Sequence, residues 1–440
     1  MMDVLLKIIQ VILSLSLLVL VHEFGHYIAA RIFRIRVEKF YLFFPPAVFK
    51  YKPKGSDTEF GIGCIPLGGF CKISGMIDES MDTEAMKNPP QPWELRSRPA
   101  WQRLIVMAGG VIMNVILAIV LYIAILFTWG EQYIRTSDAV YGIETSPLAR
   151  EIGFCDGDRI IAFDGETAPD NFAEIQVDLL RDQVSRVTVL RGDDTVDVTI
   201  DPEYMPAMLN SPGMFGIRLP ILVGGLPDTS VNAGADLQTG DKFLSAAGRP
   251  VTYYQDLQKV LSDNAGSTID LRLLRGNDTV TVPVNVGSDG KLGVLLQRDI
   301  SGIHITQREY SLIEAIPAGF LMTFTNIGHY IKELGLIFSP QTEAYKSVGS
   351  FIAIGSIFPS SWNWQIFWNI TALLSIMLAV MNLLPIPALD GGHILFLLYE
   401  MITGRKPSDR FMEIAQMIGM FLLLMIMVLA FGNDIMRLLR

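Results

Sequence analysis
The five residues His22-Glu23-Phe24-Gly25-His26 combine side chains that bind a metal with one that moves a proton. On an α-helix, positions i and i+4 share a face, so both imidazoles can reach one ion while Glu23, a step round from His22, stands beside it without ligating. Two neutral imidazoles, one carboxylate and an open fourth position make a hydrolytic zinc centre. Zinc held there lowers the pKa of a water toward ~7 and polarises a carbonyl. Iron or cobalt accepts the same ligand types, and zinc is expected from ligand habit. His22 and His26 are therefore candidate metal ligands, and Glu23 is a candidate catalytic acid and base.

A third ligand must come from elsewhere. Asp390 stands in Asn382-Leu-Leu-Pro-Ile-Pro-Ala-Leu-Asp390-Gly391-Gly392-His393. There Pro385 and Pro387 interrupt an apolar run and free backbone groups that only a protein-lined cavity tolerates at membrane depth. Asp390 as an oxygen donor would complete a His2Asp set. Two alternatives stand beside this reading: Asp390 as the N-cap of the next helix, which Gly391-Gly392 would suit, and His393 as the ligand instead. Asn382 is placed to hydrogen-bond a substrate backbone or an oxyanion.

The elements that carry these residues are apolar. Of 440 residues, 50% are apolar and 18% charged, with a mean hydropathy of +0.37, whereas soluble domains carry about a quarter charged residues. Residues 104–129 contain no formal charge and end on Trp129, which predicts a spanning helix with an interfacial aromatic. Residues 8–30, 366–389 and 414–431 have spanning length as well, and no small-residue cleavage site follows the first, so a cleaved signal peptide is not expected. Ionisable residues inside a span cost ~2.5 to 3.5 kcal/mol each on insertion scales, which marks the surroundings of His22 and Asp390 as functional. Arg31, Arg34, Arg36 and Lys39 follow span one, and Arg96, Arg98 and Arg103 precede span two. The positive-inside bias makes the segment between them cytoplasmic and puts residues 130–365 outside.

Residues 131–310 hold 27 Asp and Glu against 15 Lys and Arg. With a pI near 5.1, nucleic acid is excluded as a partner. Cys64, Cys71 and Cys155 read as free thiols, too few for a disulfide framework. The acidic block repeats itself. Gly157-Asp158 matches Gly240-Asp241, and VTVLRGDDTVDVTI from Val187 matches LRLLRGNDTVTVPV from Leu271. Alternating strands, Gly-Asp turns and one short helix per copy (171–182 and 254–262) resemble the PDZ fold, which binds extended peptide at a sheet edge. From Ser311 to Phe338, apolar residues recur at helical spacing around Glu314, His329, Lys332 and Glu333, as in an interfacial amphipathic helix. His329 reads as a solvated or packed residue.

HEFGH in the first span, NLLPIPALDGG in the third, RPAWQR before the second, AGGVIMN within it and the tandem PDZ-like block together resemble the site-2 protease family of intramembrane zinc metalloproteases, in its bacterial branch with paired PDZ domains. The likeness covers essentially the whole chain. It implies Zn2+ on His22, His26 and Asp390, acid/base catalysis by Glu23 and substrate orientation by Asn382. It also implies a membrane-associated β-hairpin after span one, where Glu59–Ile73 alternates and contains Gly68-Gly69, as the strand that pairs with an unwound substrate. At Phe43-Phe44-Pro45-Pro46 the chain departs from the Gly-rich turn of many relatives. Substrates implied are single-span membrane proteins already trimmed outside, such as an anti-sigma factor, and leftover signal peptides.

The fold expected is thus a multi-pass α-helical membrane protein with four spans in the bacterial inner membrane and two β-rich PDZ-like domains on its periplasmic side between spans two and three. In chain order this gives span one over 1–30, a cytoplasmic segment with the hairpin over 31–103, span two over 104–130, PDZ-like domains over 131–209 and 210–305, and a helical connector over 306–363. Span three follows over 364–393, then a cytoplasmic loop and span four over 394–440. Two other function classes fit parts of the pattern. A catalytically idle peptide receptor with a structural zinc would need four protein ligands; an ion carrier would need ionisable clusters staggered across the membrane, whereas these lie at one depth.

Overall fold
The computed structural model describes residues 2–76, 89–211, 213–339 and 342–439; residues 77–88 of the expected cytoplasmic segment lie outside the described residues. The chain divides into two compact units, one formed by residues 1–131 and 308–440 and the other by Gln132–Gln307.

The first unit opens with helix α1, Met2–Ile32. It ends where Arg34 turns to a φ of 55° and the Ile35 N–H closes on the Ala30 carbonyl at 2.8 Å, a left-handed helix stop. Strands β1, Val37–Tyr51, and β2, Glu59–Ile73, follow as an antiparallel pair. The pairing is more elaborate than the single hairpin expected. Val37–Leu42 lies between two arms of β2, residues 59–62 on one side and 69–73 on the other, while residues 47–51 pair with 60–63. Helix α2, Ala100–Trp129, starts after Pro99 and stops at Gly130, whose φ of 65° suits glycine.

The second unit contains the repeat. Its first copy holds β3, Ile143–Thr145; β4, Arg159–Phe163; β5, Glu166–Thr167; helix α3, Ile175–Arg181; β6, Arg186–Arg191; β7, Asp194–Thr199; and β8, Phe215–Ile217. The order β5-β4-β6-β7 makes one sheet, and β3 pairs with β8. The second copy holds β9, Ile221–Gly225; β10, Lys242–Ala246; β11, Arg249–Pro250; helix α4, Tyr254–Asp263; β12, Thr268–Arg275; β13, Asp278–Asn285; and β14, Leu295–Arg298. Here the order β13-β12-β10-β9-β14 is continuous, with β11 on β10. Alternation sets the cores: Val187 and Val189 in β6, like Leu271 and Leu273 in β12, are fully buried while their neighbours face outward. The expected boundary at 209/210 falls before β8. β8 pairs with β3 of the first copy, because closing that copy's core requires a strand from beyond its repeat.

Returning to the first unit, helix α5, Leu312–Ile337, opens with a capping box between Ser311 and Glu314. It lies against α2, with Gly319 on the Ile123 backbone, and leaves Ile313, Phe320 and Leu321 exposed. Helix α6, Phe351–Ile357, precedes α7, Trp364–Leu383. The helix expected through 366–389 stops at Leu383, since Pro385 and Pro387 lack the N–H groups to continue it; Leu384–Leu389 forms a turn, and α8 runs Asp390–Thr403. Gly392 of α8 lies against the Ile386 carbonyl, too close for a side chain. Helix α9, Asp409–Leu438, completes the unit. Among the described residues, four helices, α1, α2, α7 and α9, are long and apolar enough to cross a membrane. α1 and α7 join through Leu18, Phe367, Ile370 and Leu374, and α2 and α7 through Ala118, Leu121, Ala372 and Ile376. A hydrogen bond of 2.9 Å between the buried Ser14 and Thr371 hydroxyls adds to the first contact.

Candidate metal centre
His22 and His26 lie one turn apart on α1, their Nε2 atoms 3.3 Å from each other. Asp390, the first residue of α8, brings Oδ2 to 3.2 Å from His22 Nε2 and 3.3 Å from His26 Nε2. One donor atom from each residue falls within 4.8 Å of the other two. Asp390 Oδ2 is buried and finds no aligned hydrogen-bond donor among the described residues. Convergence of two ring nitrogens on a buried, unsatisfied carboxylate oxygen is costly without a cation, and two nitrogens with one oxygen suit Zn2+. His393 lines the adjoining cavity but is not among the converging atoms. Leu389, not Asp390, holds the N-cap position of α8.

Helix α2 forms the back wall. His26 Nδ1 is 2.9 Å from the Val106 carbonyl, and His22 Nδ1 is 3.2 Å from Nδ2 of the fully buried Asn114. Gly110 makes the room: a Cβ there would sit 2.5 Å from His26 Nε2 and 2.6 Å from His22 Cε1. None of these three contacts with α2 was expected from the sequence, although Gly110 and Asn114, spaced i and i+4, carry the same one-face signal as the two histidines.

In front of the cluster lies a cavity of about 480 Å³, bounded by Glu23, Gly69, Cys71, Asn382 and Gln416. The Glu23 carboxylate and the Cys71 backbone stand side by side on the cavity wall. Among the described residues, 69–73 pair with β1 along one edge only, and the cavity lies along that segment. Asn382 and Gly69, expected at the site, reach the cavity. Gly68 does not line it; it lies under the Phe44 ring, with Cε2 2.7 Å from where its Cβ would be. The Phe44 ring, which lines the cavity itself, covers Gly68.

The family model for peptidase family M50 matches residues 10–426. The chain belongs to peptidase family M50. Members of this family, the site-2 proteases, are zinc metalloproteases, and the chain is one of them. It is similar to the regulator of sigma-E protease RseP of Escherichia coli strain K12, 30% identical over 97% of this chain and 98% of the relative. RseP of Salmonella typhimurium is 28% identical over the full length of both chains. A Neisseria meningitidis protein provisionally named a zinc metalloprotease is 30% identical over 97% of this chain and 98% of its own length. This M50 chain thus carries its converging His2Asp cluster on two helices, α1 and α8, that are far apart in sequence.

Proposed function
We propose that this M50 protease cuts a peptide bond within or beside the transmembrane helix of a single-span protein already trimmed on the outer side, an anti-sigma-factor-like regulator or a remnant signal peptide. The observation that carries this reading is the His22, His26 and Asp390 cluster beside Glu23, on helices apolar enough to cross a membrane and open to a cavity. His22, His26 and Asp390 hold the zinc. When bound, zinc acidifies water toward ~7 and polarises the scissile carbonyl.

Glu23 takes a proton from the attacking water on its carboxylate and returns it to the nitrogen of the leaving amine. The Cys71 backbone stands beside that carboxylate. The Asn382 amide hydrogen-bonds the substrate backbone next to the cut. A helical substrate hides its peptide groups in its own hydrogen bonds, so it must open, and the edge of residues 69–73 that no other described strand pairs with accepts the freed strand. Gly69 keeps that edge close to Glu23; Gly68 supports it from behind.

The two β-rich copies act as PDZ-like domains that dock peptide segments and admit only trimmed substrates. The arginines flanking α1 and α2 support a cytoplasmic side for β1 and β2, and hence a periplasmic side for the copies, in a bacterial inner membrane. The pairing of β3 with β8 supports a first copy that extends through Ile217 and a second that begins at Ile221.

The test is cleavage of a model single-span substrate in detergent by the wild type, Glu23→Gln and Asp390→Ala, with bound metal measured for each. Glu23→Gln is expected to keep one zinc and lose roughly 10²- to 10⁴-fold in rate, and Asp390→Ala to lose the metal. A Glu23→Gln protein with unimpaired cleavage, or a wild type that holds zinc yet cuts no trimmed substrate, would turn the reading toward a peptide receptor.

A further inference from the structure
We infer that Asn114 is a positioning residue for His22: it presents its carboxamide oxygen to the Nδ1–H and so fixes the tautomer that leaves Nε2 free for zinc. The inference rests on the metal reading above and goes beyond it. A neutral imidazole carries one N–H and one lone pair. If Nε2 is to ligate, the proton must sit on Nδ1, and in a buried site that N–H needs an acceptor.

His26 has one in the Val106 main-chain carbonyl at 2.9 Å. The corresponding neighbour of His22 is the Asn114 carboxamide at 3.2 Å. Both acceptors come from α2, so each imidazole has Nε2 toward Asp390 and Nδ1 toward the same helix. With Asn114 Nδ2 facing Nδ1, the amide donates, and the only proton of His22 is driven to Nε2, against His26 and Asp390. Turning the carboxamide over places Oδ1 there instead, and its two ends are close enough in size for the same space.

The turn carries the amide N–H groups into the place that Oδ1 holds. Oδ1 is buried without a hydrogen-bond partner among the described residues, so no existing bond is broken by moving it. The backbone of Asn114 is held independently, since the Ser375 hydroxyl of α7 donates to its main-chain carbonyl at 2.8 Å. Gly110, one turn earlier on the same face, leaves the rings within reach. Asn114 is therefore a fixed stalk with a head group that can reverse, so that it can present Oδ1 to His22.

The experiment uses the full-length protein in detergent, stripped of metal. Zinc affinity is read by chelator competition and ligand-field geometry by Co2+ absorption, for the wild type, Asn114→Leu, Asn114→Asp and His22→Ala. Asn114→Leu keeps the volume and removes the acceptor. It is expected to weaken zinc about 10- to 100-fold and to change the Co2+ spectrum, while thermal unfolding of the metal-free protein is no less stable than wild type. Asn114→Asp keeps an acceptor oxygen and should bind zinc within a few-fold of wild type, which a merely structural role would not predict. Equal zinc affinity and an unchanged Co2+ spectrum in Asn114→Leu, or a loss in Asn114→Asp as large as in Asn114→Leu, would overturn the assignment. Undiminished zinc in His22→Ala would instead remove the metal reading itself.

Discussion
Gly25 of α1 and Gly109 of α2 meet backbone to backbone, so that a side chain on either would overlap the carbonyl of the other. The contact lies inside the HEFGH turn, and it brings the two histidines up to the face of α2 that carries Gly110 and Asn114. Gly25→Val should push the helices apart and lower bound zinc at least tenfold, with the helix content of the protein retained. Metal analysis beside far-UV circular dichroism checks this, and a fully loaded Gly25→Val protein would show that the close approach is dispensable.

Gly69 separates substrate handling from metal binding. A Cβ there would come within 2.8 Å of both the Tyr41 carbonyl oxygen and Val19 Cγ1, and within 3.5 Å of Glu23 Cγ. Gly69→Val is therefore expected to keep one zinc while cleavage of a single-span substrate falls by more than tenfold. Gly68→Ala, beneath Phe44, should weaken cleavage less. Parallel metal and turnover measurements on the two variants decide the order.

Each β-rich copy is locked by one buried carboxylate on one arginine. Arg191 reaches Asp158 through Nε and Nη2, each at 2.8 Å, and Arg275 reaches Asp241 at 2.9 and 2.8 Å. Asp158 and Asp241 are almost wholly buried. Removing the arginine strands a buried charge, so Arg275→Met should cost about 3 to 5 kcal/mol in the second copy, and Asp241→Leu with Arg275→Met should recover much of it. Hydrogen exchange of β10 and β12 in the intact protein measures both.

Lys242 donates to Asp299 at 2.7 Å, and this bond, with those from Ser301, lowers the Asp299 pKa from 3.8 to about 2. As pH falls, the unfolded chain takes up the proton near 3.8 and the folded chain only near 2. The stabilisation is therefore complete above about pH 4 and is lost as pH falls toward 2. Lys242→Met should flatten that slope. Exchange rates of β9 and β10 between pH 2 and 5, corrected for intrinsic chemistry, report it; an unchanged slope would mean that other carboxylates dominate.

Much of the site was legible because its signals are local. HEFGH places two imidazoles on one helical face whatever surrounds it, and apolar runs of spanning length became α1, α2, α7 and α9. Pro385 and Pro387 broke a helix where backbone chemistry demands it. The repeat was visible because alternation and Gly-Asp turns act within a few residues. What escaped were partners chosen across long distances in sequence. That β8 closes the first copy, that β1 is gripped by two arms of β2, and that the Phe44 ring covers Gly68 follow from strand pairing and packing.

The sequence by itself determined the chemistry on offer: two histidines, a glutamate beside them, an aspartate after a double-proline break, and apolar helices to carry them. Only the tertiary structure decided that Asp390 Oδ2 meets both Nε2 atoms, that Val106 and Asn114 stand behind the rings and that Cys71 lies beside Glu23. Residue spacing governs which side chains share a face of one helix. The packing of small residues such as Gly25, Gly109 and Gly110 governs how closely two helices approach, and that distance determines which atoms become partners.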